Sequence, residues 1–149
     1  AFYVVKKGLM KAYYVDNDGR ESIKSFLMEG DIIGSLKSVF GDGESSFNLV
    51  CLEASELVVV DFYVLYDASR NDVELASEFV DFLLSYGMKK ETREFELLCL
   101  TAEDRYRRLV SSHPTLFARV TQNDVARYLG ITPVGLSRIK RRVSKQGER

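Results

Sequence analysis

The 149-residue chain has two cysteines, two prolines, one histidine and no tryptophan. Cys51 and Cys99 lie far apart without Cys or His at metal-ligand spacing. That excludes a disulfide-stapled domain, a four-cysteine zinc site and an iron–sulfur cluster held by this segment alone, and fits a reducing compartment. The lone His113 sits beside Pro114 with no serine or cysteine partner suggested by spacing, so a charge relay or metal site has little to build on. No Gly-rich phosphate loop of Walker or Rossmann type is present. No uninterrupted apolar stretch, such as Leu57 to Val60, approaches the roughly 20 residues needed to cross a bilayer, and Ala1 to Val5 lacks the charged leader of a signal peptide. A cytoplasmic protein without metal or cofactor, and not an enzyme, is the expectation.

What is present is a folding composition, 46% hydrophobic and 29% charged, with a net charge of only −1. That balance conceals a division. Residues 1–100 carry 10 Lys plus Arg and 18 Asp plus Glu, whereas residues 101–149 carry 11 and 4. An acidic body with a basic end is the arrangement expected where one part meets a polyanion.

The first 60 or so residues read as short strands. Phe2, Val4, Leu9, Ala12 and Tyr14 alternate loosely with polar neighbours, and Asp16-Asn17-Asp18-Gly19 is a hairpin turn that returns through Ser22 to Leu27. Gly30-Asp31, Gly34 and Gly41-Asp42-Gly43 break the chain, and Phe47 to Leu52 and Leu57 to Val60 read as buried strands. Strands at such spacing predict an antiparallel roll or barrel. From Asn71 to Leu100 the period becomes helical. Leu75, Phe79, Phe82 and Tyr86 recur at steps of three and four, capped by Asn71 or Asp72, and their heptad-like spacing suits pairing with a second copy. A core helix is the alternative reading. Glu91, Glu94 and Glu96, interleaved with Lys89, Lys90 and Arg93, read as a solvated helix face, and Cys99 in Leu97-Leu98-Cys99-Leu100 as a buried hydrophobe.

The last third is a series of short helices. Thr101-Ala-Glu-Asp104 opens one that His113-Pro114 stops, and Leu116 to Val120 reads as extended. Thr121-Gln-Asn-Asp124 opens a second, ended by Gly130, and Thr132-Pro133 starts a third. Ala126, the Leu129-Gly130-Ile131 turn, and Val134, Leu136 and Ile139 give the pattern of a helix-turn-helix, whose second helix shows Ser137, Arg138, Lys140, Arg141 and Arg142. Arg138 has the two-pronged geometry that reads guanine. Lys140, Arg141, Arg142 and the helix-start N–H groups at Thr121, Gln122 and Asn123 suit phosphates, and Thr132, Pro133 and Val134 stand at the helix start that enters a groove.

These parts in this order, with Gly30-Asp31-Ile32-Ile33-Gly34 in the roll and Val120 to Lys140 at the end, resemble the Crp/Fnr family of bacterial transcription regulators. The resemblance implies an α+β fold: an N-terminal antiparallel β-roll (jelly-roll-like, truncated at its start), a long dimerisation helix, and a C-terminal winged-helix-type helix-turn-helix domain. It implies domains at 1–70, 71–100 and 101–149, double-stranded DNA and a second copy of the chain as partners, and RNA polymerase as a further one. It also implies that the first strands of the roll and the wing after Val143 lie outside these residues. In family members that bind cyclic AMP, a Glu and an Arg hold the ribose and the phosphate. The aligned positions here are Ser35 and Ser45, so the usual cyclic AMP mode is not expected, although Gly34, Ser35, Ser45 and Ser46 stand as candidates for another effector. The expected function is a homodimeric, sequence-specific regulator on a palindromic site. The alternative is a ligand-binding regulatory module that does not act on DNA.

Overall fold

A computed structural model describes residues 1–147. Six strands form two three-stranded antiparallel sheets. In the first, β1 (Phe2–Lys7) lies between β4 (Ile32–Gly34) and β6 (Glu56–Val60). In the second, β2 (Met10–Val15) lies between β3 (Glu21–Leu27) and β5 (Asn48–Cys51). The β2–β3 hairpin turns where the Asp-Gly signal places it: the Asp16 carboxylate accepts from the Asp18 and Arg20 N–H groups, and Gly19 adopts a φ of 77°. Val5, Met10, Ala12, Leu27, Ile33 and Phe47 fill the space between the sheets.

Two short helices, α1 (Leu36–Phe40) and α2 (Phe62–Ser69), interrupt and close the roll. Neither is foreseen by the sequence reading, although Asp61 caps α2 by accepting from the Tyr63 and Val64 N–H groups. The long helix α3 (Val73–Cys99) starts at the expected Asp72 cap. A cluster of aromatic rings ties α3 to the roll: Phe2 stacks on Phe62 with centroids 3.9 Å apart, and Phe62 meets Phe79 and Phe82.

Three further helices follow, α4 (Ala102–Ser112), α5 (Gln122–Leu129) and α6 (Pro133–Gly147). Leu116–Ala118 is a 3₁₀ turn, not the expected extended segment: three residues after Pro114 close on themselves through i+3 bonds and bury Leu116. Leu109, Leu116, Val125, Ala126, Leu129, Leu136 and Ile139 form the core of this unit, each burial contributing roughly 1.5–3 kcal/mol for the larger side chains. Leu9 of the β1–β2 turn joins the same core, so the helical unit is seated on the roll. Both cysteines are exposed, Cys99 because the apolar run containing it lies on an uncovered end of α3. Among the described residues no helix is long and apolar enough to cross a membrane.

Candidate nucleic-acid interface

The helices at the C-terminal end are set by local chemistry. Thr121 caps α5: its hydroxyl accepts from the Asp124 N–H at 3.1 Å and donates to the Asp124 carboxylate at 3.0 Å. Thr101 and Asp104 repeat the device at the start of α4. Gly130 ends α5 with a φ of 70°, a left-handed conformation that costs any residue with a Cβ, and this turn swings the chain into α6. Thr132 caps α6 by accepting from the Gly135 N–H at 3.1 Å, and Pro133 occupies the first helical position, where its missing N–H is not needed.

Leu136 and Ile139 face inward at 1% and 4% exposure, with Val143 packed beside them. Helical geometry then puts Val134, Ser137, Arg138 and Arg141 on the opposite side, all exposed, together with Thr132 and Pro133 at its start. Among the described residues Arg138 and Arg141 have no hydrogen bond or ion pair. The other two cations are engaged: Lys140 donates to Gln122 Oε1 at 2.9 Å, bracing α6 on the start of α5, and Arg142 pairs with Glu103 at 3.6 Å. The ten candidate DNA-binding residues therefore cluster at one end of the molecule, but Thr121 also caps α5, and Gln122 and Lys140 also hold the two helices together.

The dimerisation residues taken from the sequence require correction. Phe79 is buried at 8% exposure, Phe82 and Tyr86 pack with it against Phe2 and Phe62, Leu75 lines the same apolar recess, and the Tyr86 hydroxyl donates to the Gly34 carbonyl at 2.8 Å. All four face the chain's own roll. At 3.6 residues per turn a second stripe runs on the far side of α3. Val73, Val80, Leu84, Met88, Phe95 and Leu98 form it, exposed at 87%, 53%, 60%, 61%, 49% and 77%. The heptad spacing is real, but it exists in two phases, and the aromatic one is taken by the roll.

The charged middle of α3 is likewise not a simple solvated face. Arg93 donates to the Tyr128 and Ile23 carbonyls and lies 3.7 Å over the Tyr128 ring, Lys89 reaches Asp31 at 3.4 Å, and Lys90 lies 4.6 Å over the Tyr86 ring. Burial lowers the Arg93 pKa. The effector candidates are occupied by their own backbone. The Ser35 hydroxyl caps α1, the Ser45 hydroxyl donates to the Phe47 carbonyl at 2.8 Å, Ser46 is exposed, and a Cβ on Gly34 would sit 2.3 Å from the Phe2 ring.

The residues that position the helical unit carry little sequence signal because their partners are distant. Lys11, on β2, donates to Asp124 at 2.9 Å, both side chains being only 10% exposed. Glu21 joins them, 3.4 Å from Lys11 and 2.8 Å from Arg127. Arg119 is gripped by Glu29 and Glu53. That guanidinium, with backbone N–H donors including Gly8's, brings the Glu29 pKa down to about 2. Arg105 donates to the carbonyls of Leu129, Leu100 and Glu96, a cation at the C-terminal ends of both α5 and α3.

Residues 1–71 match the cyclic nucleotide-binding domain family. The chain is 27% identical to the fumarate and nitrate reduction regulatory protein of Vibrio cholerae, over 97% of this chain and 62% of that one. It is 26% identical to the anaerobic regulatory protein of Pasteurella multocida, over 99% and 57%. Among solved structures, FixK2 from Bradyrhizobium japonicum superposes with a TM-score of 0.80 at 21% identity, covering 98% of this chain and 75% of that one. A transcriptional regulator of the Crp/Fnr family from Eubacterium rectale superposes at 0.74 with 13% identity, covering 99% and 70%. In sequence and fold the chain is similar to regulators of the Crp/Fnr family. The chain spans about three fifths of the length of the relatives it matches, and its mixed fold of antiparallel sheets, long helix and helix-turn-helix is that of these solved structures.

Proposed function

We propose that this protein is a sequence-specific DNA-binding transcription regulator of the Crp/Fnr type that acts in the cytoplasm as a homodimer on a palindromic site. The observation that carries the reading is the α6 face: Arg138 and Arg141, exposed and unpaired among the described residues, stand beside Thr132, Pro133, Val134 and Ser137 on a rigid helix. Arg138 reads a base edge, Arg141 and the α5 start grip phosphates, and Val134 meets an apolar group such as a thymine methyl. Residues 1–70 are the regulatory roll, 71–100 the pairing segment and 101–149 the DNA-binding unit. Pairing uses the outer stripe of α3 centred on Val80, Leu84 and Met88, and sets two recognition helices roughly 34 Å apart, one turn of DNA. RNA polymerase is the further partner, met once the dimer occupies its site. Cyclic AMP in its usual mode is not the effector, since Ser35 and Ser45 supply no cation and spend their hydroxyls on turns.

The test is selection of bound fragments from genomic DNA at two salt concentrations, with Arg138→Ala and Arg141→Ala beside the parent. A palindromic motif is expected, lost in Arg138→Ala. Arg141→Ala is expected to weaken all sequences alike and reduce the salt slope by about one. Unchanged specific binding in Arg138→Ala overturns the assignment of the recognition helix.

A further inference from the structure

The first residues of α6 have no polar side chain to offer a base. Pro133, Val134 and Gly135 follow one another there, and none of the three side chains carries a donor or an acceptor. The polar groups around them are occupied: Thr132 Oγ1 accepts from the Gly135 N–H, and Lys140 donates to Gln122 Oε1. Ser137 and Arg138, on the same face, stand one turn further along. Folding asks for no more of this trio than Pro133. Val134 is 62% exposed, outside the core that Leu136 and Ile139 join, and a β-branched residue is a poorer helix former than Ala. Gly135 is poorer still, and no positive φ requires it. A Cβ there would meet no backbone and no ring within 4 Å, only Thr132 Oγ1 at 3.3 Å and Ile131 Cβ at 3.8 Å.

A bare glycine beside a short apolar side chain lets a duplex come close enough for Val134 to touch the edges of the bases. In the major groove the apolar group those edges present is the C5-methyl of thymine, a position that is bare in cytosine. Side chains without donors or acceptors do not tell the O4 acceptor of thymine from the N4 donor of cytosine, so the methyl alone is what they sense. Resting on the reading of α6 as the recognition helix, we infer that Pro133, Val134 and Gly135 read the C5-methyl group of a pyrimidine and accept thymine and 5-methylcytosine alike. Binding then distinguishes a cytosine methylated at C5 from an unmethylated one in the same site. Val134 and Arg138 are separated by about 6 Å along α6 and base pairs by about 3.4 Å, so the methyl lies one or two base pairs from the guanine that Arg138 reads.

The size of the effect is that of one methyl group taken out of water, about fourfold in affinity. A palindrome presents it twice, which makes about fifteenfold for the two half-sites together. A bidentate bond from Arg138 to guanine discriminates by more than a single methyl does, so the guanine defines the site and the methyl tunes it.

The experiment is selection by the 149-residue chain from randomised duplex pools, one with the ordinary bases, one with uracil for thymine and one with 5-methylcytosine for cytosine. The ordinary pool is expected to give thymine one or two base pairs from an invariant guanine. The uracil pool is expected to lose the preference at that position, and the methylated pool to accept 5-methylcytosine there beside thymine. In titrations of the recovered duplex, uracil or cytosine placed in both half-sites is expected to weaken binding about fifteenfold, and 5-methylcytosine to stay within about twofold of thymine. Val134→Ala is expected to bind the thymine and uracil duplexes alike, to keep its preference for guanine, and to melt no lower than the parent, since Val134 lies outside the core. Uracil bound as tightly as thymine by the parent, 5-methylcytosine bound no better than cytosine, or an undiminished thymine preference in folded Val134→Ala would each overturn the inference and leave the recognition helix standing. No motif in any pool would overturn the recognition helix, and the inference with it.

Discussion

Removing both members of the Lys11–Asp124 pair should cost less than the two single removals added together. The pair joins β2 to the first turn of α5 with both side chains 10% exposed, so each charge has lost most of its water. Breaking a buried ion pair from one side typically costs about 3–5 kcal/mol, because a desolvated charge is left behind. Two neighbours soften that here. In Asp124→Asn, the Lys11 ammonium still has Glu21 at 3.4 Å, which lowers the expected cost to about 2–3 kcal/mol. In Lys11→Met, Asp124 keeps the Thr121 hydroxyl at 3.0 Å and has Arg127 at 3.9 Å, which leaves about 1–2 kcal/mol. The double variant strands no charge and should lose only about 1–2 kcal/mol, giving a coupling of about 2 kcal/mol. Urea unfolding of the four proteins at pH 7, with slopes compared to verify a common denatured state, measures it. If the double variant's loss equals the sum of the singles to within about 0.5 kcal/mol, the two charges do not act as a buried pair.

Three shorter expectations follow from the same geometry. Glu29 has its pKa depressed from 4.5 to about 2, so its bonds to Arg119 and Gly8 stabilise the fold above pH 4.5 and are lost as pH falls towards 2. Glu29→Gln should flatten that part of the acid-unfolding curve and leave the curve above pH 6 unchanged in shape. Gly34→Ala forces a methyl group to 2.3 Å from the Phe2 ring. Overpacking of that kind costs about 1–3 kcal/mol, and the melting temperature should drop by several degrees. Leu84→Glu sets a charge in the exposed stripe of α3 without touching the roll-facing side, and should move the sedimentation coefficient from dimer to monomer while the circular dichroism spectrum stays that of the parent.

Features with local causes were legible in the sequence. Thr121, Gly130 and Thr132-Pro133 fix the ends of α5 and α6 through bonds within four residues, and Asp16 to Gly19 make their hairpin the same way. The face of α3 was not legible, because both sides of that helix carry apolar residues at heptad spacing, and only distant Phe2 and Phe62 decide which side turns inward. For the same reason Lys90 and Arg93 read as surface charges although aromatic rings and carbonyls from other elements receive them. The bulge at Lys24, where β3 pairs Ser25 with Ala12 and Ile23 with Tyr13, gave no sign at all, since a bulge is a property of two strands in register and not of one. The short helices α1 and α2 passed unseen because five and eight residues are too few for a period to show.

Arg105 gives the molecule a corner. One planar guanidinium is shared by the trailing carbonyls of α3 and α5, so those helix ends cannot separate without stranding a cation beside unpaired oxygens. The 27 residues of α3 then act as a lever roughly 40 Å long with its fulcrum at that corner. A tilt of about five degrees moves the far end, beside Phe79 and the roll, by roughly 3 Å, and because the corner is stiff the same angle is imposed on the turn that aims α6. Small repacking around the roll would thus become a change of heading at the other end of the chain wherever the ion pairs that seat the helical unit on the roll give way.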